Sequence, residues 1–322
     1  MTVVVAEVVR SGFVESRHHG SAVALSPAGE VLLSVGDVAT PLFPRSSNKP
    51  MQAAGLLRLG IVEKYGLDAR HVALATASHS GEQVHVDVVR DLLAKADVAE
   101  SDLACPADLP LDVAAARAVL ARGGGPSRVQ HNCSGKHAAF LAACAAQGWP
   151  LDGYRDETHP LQVHLRGVVA ELAGEEVATT GVDGCGAPIF ALSLTALARA
   201  FGRIATATEG TPEHAVAQAI RTHPDLLGGT GRDVTRLVRA VPGLIAKDGA
   251  EGVYAAALPD GTAVALKVED GASRARPPVM VAALRALGVT GDDAELAALA
   301  APEVLGGGAP VGEVRAVAGL FG

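Results

Sequence analysis

The sequence predicts an α+β protein: one antiparallel sheet with flanking helices and an inserted helical region. Three observations carry this. Short Val- and Ala-rich runs, separated by turn signals, lie at both ends of the chain. Alanine-rich, helix-periodic stretches fill the middle. No shift in composition marks a flexible linker. Strands from both termini joining one sheet make a single α+β domain over residues 1–322, with a helical insertion at about 80–240.

Each element follows from its local pattern. Runs 3–10, 20–26 and 30–36 read as an antiparallel meander, the last two joined by the turn Ser26-Pro27-Ala28-Gly29. Residues 47–59 read as a helix, with Leu56, Leu57 and Leu59 apolar and Gly60 as the stop. His71 to Ala77 is a short buried run, read as a strand, that ends in the polar knot Ser78-His79-Ser80-Gly81-Glu82. A helix at about 83–96 follows, with Val84, Val88, Leu92 and Ala96 on one face. The stretch 112–122 is helical and is broken by Gly123-Gly124-Gly125-Pro126. A second knot, His131-Asn132-Cys133-Ser134-Gly135-Lys136-His137, feeds an alanine-rich helix to about 147. Helices are predicted at 160–172, 191–201 and 212–222, and the glycine-rich turn Gly181-Val182-Asp183-Gly184-Cys185-Gly186 lies between the first two. Val253–Leu258 and Ala263–Val268 flank Pro259-Asp260-Gly261-Thr262, a hairpin signal. A last helix covers about 277–287, and the Ala/Gly-rich tail beyond it carries no clear pattern.

Composition excludes several function classes. The net charge is −8 and aromatics are 3% of residues, so neither a phosphate-binding excess of Lys and Arg nor base-stacking platforms are available, and no nucleic-acid partner is expected. No apolar run is long enough to span a bilayer, and the N-terminus lacks a basic leader region, so no membrane partner and a cytoplasmic location are expected. Four cysteines, Cys105, Cys133, Cys144 and Cys185, are too few for a disulfide scaffold. In a reducing compartment they are buried thiols, metal ligands or nucleophiles.

Only six of the 27 basic residues are lysines: Lys49, Lys64, Lys95, Lys136, Lys247 and Lys267. In a chain so biased toward arginine, a retained lysine points to chemistry that arginine cannot do, namely losing its proton.

Two of these lysines stand in suggestive places. In Arg45-Ser46-Ser47-Asn48-Lys49-Pro50, Ser46 and Lys49 are three apart at a helix start, hence on one face. A neutral amine there can take the hydroxyl proton, and the helix N-terminus favours the negative charge that develops. A capping serine and a solvated lysine would satisfy the same tetrapeptide. Ser78-His79-Ser80 and Lys247-Asp248-Gly249 follow. The order S-x-x-K, S-x-x, K-x-G is that of serine β-lactamases and penicillin-binding proteins. Cys133, Lys136, His137, Asp183 and Cys185 form a further set in glycine-rich turns. It could hold a soft metal, form a disulfide, or supply a cysteine nucleophile with His131, His137 or His79 as base.

The blocks Arg-Ser-x-x-Lys-Pro, Ala-Ser-His-Ser-Gly-Glu, Asn-Cys-Ser-Gly-Lys-His and Thr-Gly-Val-Asp-Gly-Cys together resemble the asparaginase II family, the rhizobial-type or class 3 L-asparaginases. Arg221-Thr222-His223-Pro224 and Gly228-Gly229-Thr230-Gly231-Arg232 add to the likeness, which runs from about Val8 to Gly271 and fades in the tail. The resemblance implies a serine β-lactamase/glutaminase-like fold and hydrolysis of L-asparagine to L-aspartate and ammonia. It implies Ser46 as nucleophile with Lys49 as its base, and Ser78 with Lys247 as a second Ser–Lys pair. It implies zinc held by Cys133, Lys136 and Cys185, with no organic cofactor. Arg45, His79, Asp183 and His137 are the implied substrate-binding residues, and a homodimer is expected. A glutaminase or β-lactamase-like serine acyl hydrolase, a non-catalytic amino-acid sensor on the same fold, and a cysteine amidase stay open as alternatives.

Overall fold

The computed structural model describes residues 2–322. In chain order, the first strands are β1 (Val3–Arg10), β2 (Phe13–Leu25) and β3 (Val31–Val35). Helices α1 (Lys49–Leu57), α2 (Ile61–Tyr65), α3 (Ala69–Ala75), α4 (Gln83–Lys95), α5 (Val113–Ala121), α6 (Ser134–Gln147) and α7 (Pro160–Ala173) follow. Then come β4 (Thr180–Val182), β5 (Pro188–Phe190), α8 (Leu194–Ala205), α9 (Pro212–Thr222), α10 (Pro224–Leu227) and α11 (Asp233–Ala240). The chain ends with β6 (Ile245–Asp248), β7 (Val253–Ala257), β8 (Ala263–Val268), α12 (Arg276–Ala286), α13 (Asp293–Ala300), β9 (Glu303–Gly306) and β10 (Ala309–Ala316). Among the described residues no helix is long and apolar enough to cross a membrane.

The chain divides into two units. One comprises Met1–Ser47, Leu192–Thr206 and Arg236–Gly322; the other comprises Asn48–Ala191 and Ala207–Thr235.

The first unit is built on an antiparallel eight-stranded sheet in the order β6-β7-β8-β2-β1-β10-β9, with β3 pairing β2. Strands from both termini meet: β1 pairs β10 from Ala6↔Ala316 to Arg10↔Gly312. Long β2 pairs β1 through its first half, then β8 and β3 through its second. Strands β6 and β7 are buried along their whole length; β7 reads as an apolar run, whereas β6 ends in the buried charged residues Lys247 and Asp248. Helix α8 packs on β2, β7 and β8, presenting Leu194, Leu197, Ala198, Phe201 and Ile204 at helical spacing. It opens at Ser193, whose Oγ accepts from the Ala196 N–H at 3.0 Å. Helix α12 packs on β8, β10 and β1, and α13 packs on α12.

The Ala/Gly-rich tail contains α13, β9 and β10. Tertiary pairing with β1 makes β10 a strand where composition gives no β preference.

The second unit is helical, with the short hairpin β4-β5 as its sheet. Helix α6 is its centre: every residue from Ser134 to Cys144 is buried, against α3, α4, α1, α7 and α2. A helix buried on all sides is a core helix, here with Ser134, Lys136 and His137 as its buried polar end. Gly135 allows the close approach to α3, since a Cβ there would lie 2.5 Å from the Leu74 carbonyl oxygen. Helix α3 replaces the strand read at His71–Ala77. A seven-residue apolar run is periodically ambiguous. The helix is set by Asp68 at its N-cap, accepting from the Arg70 N–H at 2.9 Å.

The helical region therefore begins at Asn48 rather than near 80, and α8 lies in the sheet unit because its apolar stripe is buried on the strands.

Candidate active site

The second unit gathers most of the marked residues. Lys49, the first residue of α1, is 1% exposed. Its Nζ donates to the Ala77 carbonyl at 2.5 Å, to Ser78 Oγ at 3.0 Å and to Cys133 Sγ at 3.2 Å. These three contacts suit the three hydrogens of an ammonium or the two hydrogens and lone pair of a neutral amine, and Ser46 is not among them. Ser78 follows α3 in the chain, its N–H bound to the Leu227 carbonyl at 3.0 Å. Cys133 stands at the N-cap of α6, and its N–H donates to His131 Nδ1 at 3.1 Å.

One helical turn into α6, Lys136 is 2% exposed and donates to Cys185 Sγ at 3.3 Å. Cys185 sits in the β4-β5 turn, which Asp183 and Ala187 close with a backbone hydrogen bond of 2.9 Å. The Asp183 carboxylate lies 3.7 Å from Cys185 Sγ. All four cysteines are reduced.

The two thiols share charge unequally. A hydrogen bond from Cys185 holds Cys133 well below the ordinary thiol range; burial opposes this, and the Lys49 and Lys136 ammonium groups reinforce it. Cys185 is pushed up in turn, first by Cys133 and then by burial. Lys136 is raised: burial works against its charge, but Cys185, Cys133 and Asp183 outweigh that.

Among the described residues, no three or more His, Cys, Asp or Glu side chains converge to hold a metal ion. Any metal set here depends on the Lys136 amine joining the two sulfurs.

The histidines around this cluster are buried. His137 Nδ1 lies 2.6 Å from the Tyr154 hydroxyl, which accepts from the Ala104 N–H at 2.8 Å. Burial pushes His137 down to about 4. His79 has no exposed surface, and both its ring nitrogens are hydrogen-bonded, to Ser134 Oγ at 2.9 Å and to the Gly81 N–H at 3.2 Å. The two remaining motif fragments touch. The Glu82 carboxylate accepts from the Thr230 N–H at 2.8 Å and hydroxyl at 2.9 Å. Gly229, at φ +125°, leaves no room for a Cβ against Ser80 Oγ.

The first unit holds the rest. Arg45 and the half-buried Ser46 lie in the 3₁₀ turn Arg45–Asn48. Arg45 has φ +51°, a left-handed conformation that is uncommon for a side-chain-bearing residue and found where function constrains the backbone. Its guanidinium is 3.7 Å from Glu251. Ser47 Oγ donates to the Lys247 carbonyl at 3.0 Å. Lys247 is fully buried, and its ammonium pairs with the Asp248 carboxylate and donates to the Asp248 carbonyl at 2.7 Å. Arg276 lies 3.7 Å from the same carboxylate and donates to the Gly249 carbonyl.

Sequence reasoning did not single out Asp248, Arg276, Ser134 or Tyr154 as partners of these groups. Tyr154 is one of only three tyrosines, and that scarcity was its one signal.

The sequence profile of the L-asparaginase II family matches residues 6–316, and the chain belongs to that family. It is a family of hydrolases, and a small-molecule substrate follows. The match runs through β10, which corrects the expectation that the tail departs from the family pattern. No curated protein matches the chain. Among solved structures, a β-lactamase from Mycobacterium bovis is 15% identical, with 83% of this chain and 94% of that one covered and a TM-score of 0.43. The hydrolase EstCE1, described as having promiscuous acyltransferase activity, is 11% identical, with 82% and 88% covered and a TM-score of 0.37.

Proposed function

We propose that the protein is a rhizobial-type (class 3) L-asparaginase that hydrolyses L-asparagine to L-aspartate and ammonia by Ser–Lys chemistry on a serine β-lactamase/glutaminase-like fold. The observation that carries the reading is the buried Lys49, with Nζ on Ser78 Oγ and Cys133 Sγ, in a chain of this family. A buried lysine held between a hydroxyl and a thiol supports a role in proton transfer.

In this reading Ser46 attacks the side-chain amide carbon of asparagine, and Lys49, in its neutral form, takes the hydroxyl proton. Backbone N–H groups at the start of the helical run hold the oxyanion. The C–N bond then breaks, and the proton passes to the leaving ammonia. Water adds to the acyl-enzyme and releases aspartate. Lys247 has its charge set against Asp248 within the sheet unit.

Two sulfurs, an amine and a nearby carboxylate are a donor set suited to zinc. Cys133, Lys136 and Cys185 would hold it, and the ion would supply positive charge for the α-amino or α-carboxylate end of the substrate. Asp183 and His137 are assigned to the same end.

The 3.0 Å contact from Lys49 to Ser78 favours a second reading, in which Ser78 is the nucleophile. Ammonia release from L-asparagine, L-glutamine and a chromogenic β-lactam by wild type, Ser46→Ala and Ser78→Ala tests both. We expect asparagine to be preferred and Ser46→Ala to lose on the order of 10³-fold in turnover. Loss in Ser78→Ala with activity kept in Ser46→Ala would transfer the role. Preference for glutamine or the lactam would change the substrate.

A further inference from the structure

We propose that His79 is a positioning residue: in its Nε2–H tautomer it pins the Ser78–Gly81 loop to the start of α6, so that Ser78 and Cys133 meet Lys49 together. The inference rests on the reading of Lys49 as the working base.

The tautomer follows from two independent contacts. Ser134 Oγ donates its one proton to the Val129 carbonyl at 2.7 Å. At 2.9 Å from His79 Nε2 it can therefore only accept, so Nε2 carries a hydrogen. The Gly81 N–H points at Nδ1 at 3.2 Å, which requires a lone pair there. A second hydrogen on Nδ1 would face that N–H. Burial first, and then His85, Lys49 and His131, hold the ring well below the usual histidine range. His85 fixes the ring plane, stacked at 5.1 Å and 12° and itself bound to the Asp225 carbonyl at 2.9 Å.

The ring sits at a junction. The His79 N–H donates to the Asn132 carbonyl at 3.1 Å, so backbone and side chain tie the same two segments. One residue to one side is Ser78; one residue from Asn132 is Cys133. Lys49 Nζ touches both, at 3.0 and 3.2 Å. Moving the ring moves both partners of the proposed base. With no exposed surface, the ring acts through these neighbours and not on substrate.

Two measurements on the full chain test this. Long-range ¹H–¹⁵N spectra of the labelled protein should show His79 as the Nε2–H tautomer from about pH 6 to about pH 8. An Nδ1–H or doubly protonated ring would overturn the proposal, whatever amide the enzyme hydrolyses. In kinetics, His79→Leu should lower kcat on asparagine by about tenfold or more with KM changed less than about threefold, since misplacing a reacting group acts on turnover. His79→Gln keeps an amide donor for Ser134 and should recover to within about fivefold of wild type. Wild-type kcat in His79→Leu, or no rescue by Gln, would overturn it. If His79→Leu does not fold, the spectra and the His79→Gln comparison decide. If wild type releases no ammonia from asparagine, the proposed function falls, and the spectra alone judge His79.

Discussion

Lys49, Lys136 and Lys247 are three of six lysines, and each has almost no exposed surface. Each also holds a specific partner: Ser78 and Cys133, Cys185, and Asp248 respectively. Their retention as lysine in an arginine-biased chain was legible from composition, because a guanidinium is larger and cannot give up its proton. Which serine each one meets was not legible, since spacing along the chain says nothing about the 29-residue separation from Lys49 to Ser78. The thiols belong to this scale as well. In the proposed reading Cys133, held toward thiolate, would join Cys185 and Lys136 in offering a zinc ion two sulfurs and an amine. Protein purified without chelator should carry about one zinc per chain by elemental analysis. Cys133→Ser and Cys185→Ser should lose it and raise KM more than they lower kcat. Wild-type zinc content in both variants would remove these residues from the metal set.

Helix α6 links the core to the site. Cys133 caps it, its first turn carries Lys136 and His137, and Gly135 lets α3 come close. Gly135 is the contact point, so Gly135→Ala should cost about 1–3 kcal/mol, the range for forcing extra volume into a packed core. The expected reading is a lower thermal midpoint by calorimetry. An unchanged midpoint would show that α3 yields freely. The glycine in Asn-Cys-Ser-Gly-Lys-His is thus explained by packing, whereas sequence alone gave it only as part of a motif. Sequence reading also found α6, α7, α8 and α9. It misread α3, whose run is too short to show a period, although Asp68 ahead of it was an available capping signal.

At the scale of the molecule, a sheet shared by both ends of the chain was expected from strand runs at each end, and β2 beside β8 realises it. The last strands were invisible in the sequence because Ala- and Gly-rich segments have little β preference and gain it by pairing. The start of the helical unit at Asn48 was also hidden: Ser47 and Asn48 lie inside one helical run, with no Pro/Gly-rich linker between units.

The central claim is that a buried lysine does proton-transfer work on L-asparagine. The most direct test is steady-state ammonia release by wild type and Lys49→Arg. Arginine keeps the positive charge and the hydrogen-bond donors but cannot serve as a base. The account predicts ammonia from L-asparagine in wild type and a loss on the order of 10³-fold in Lys49→Arg, with the zinc content unchanged. A Lys49→Arg enzyme that turns over asparagine at the wild-type rate would contradict it.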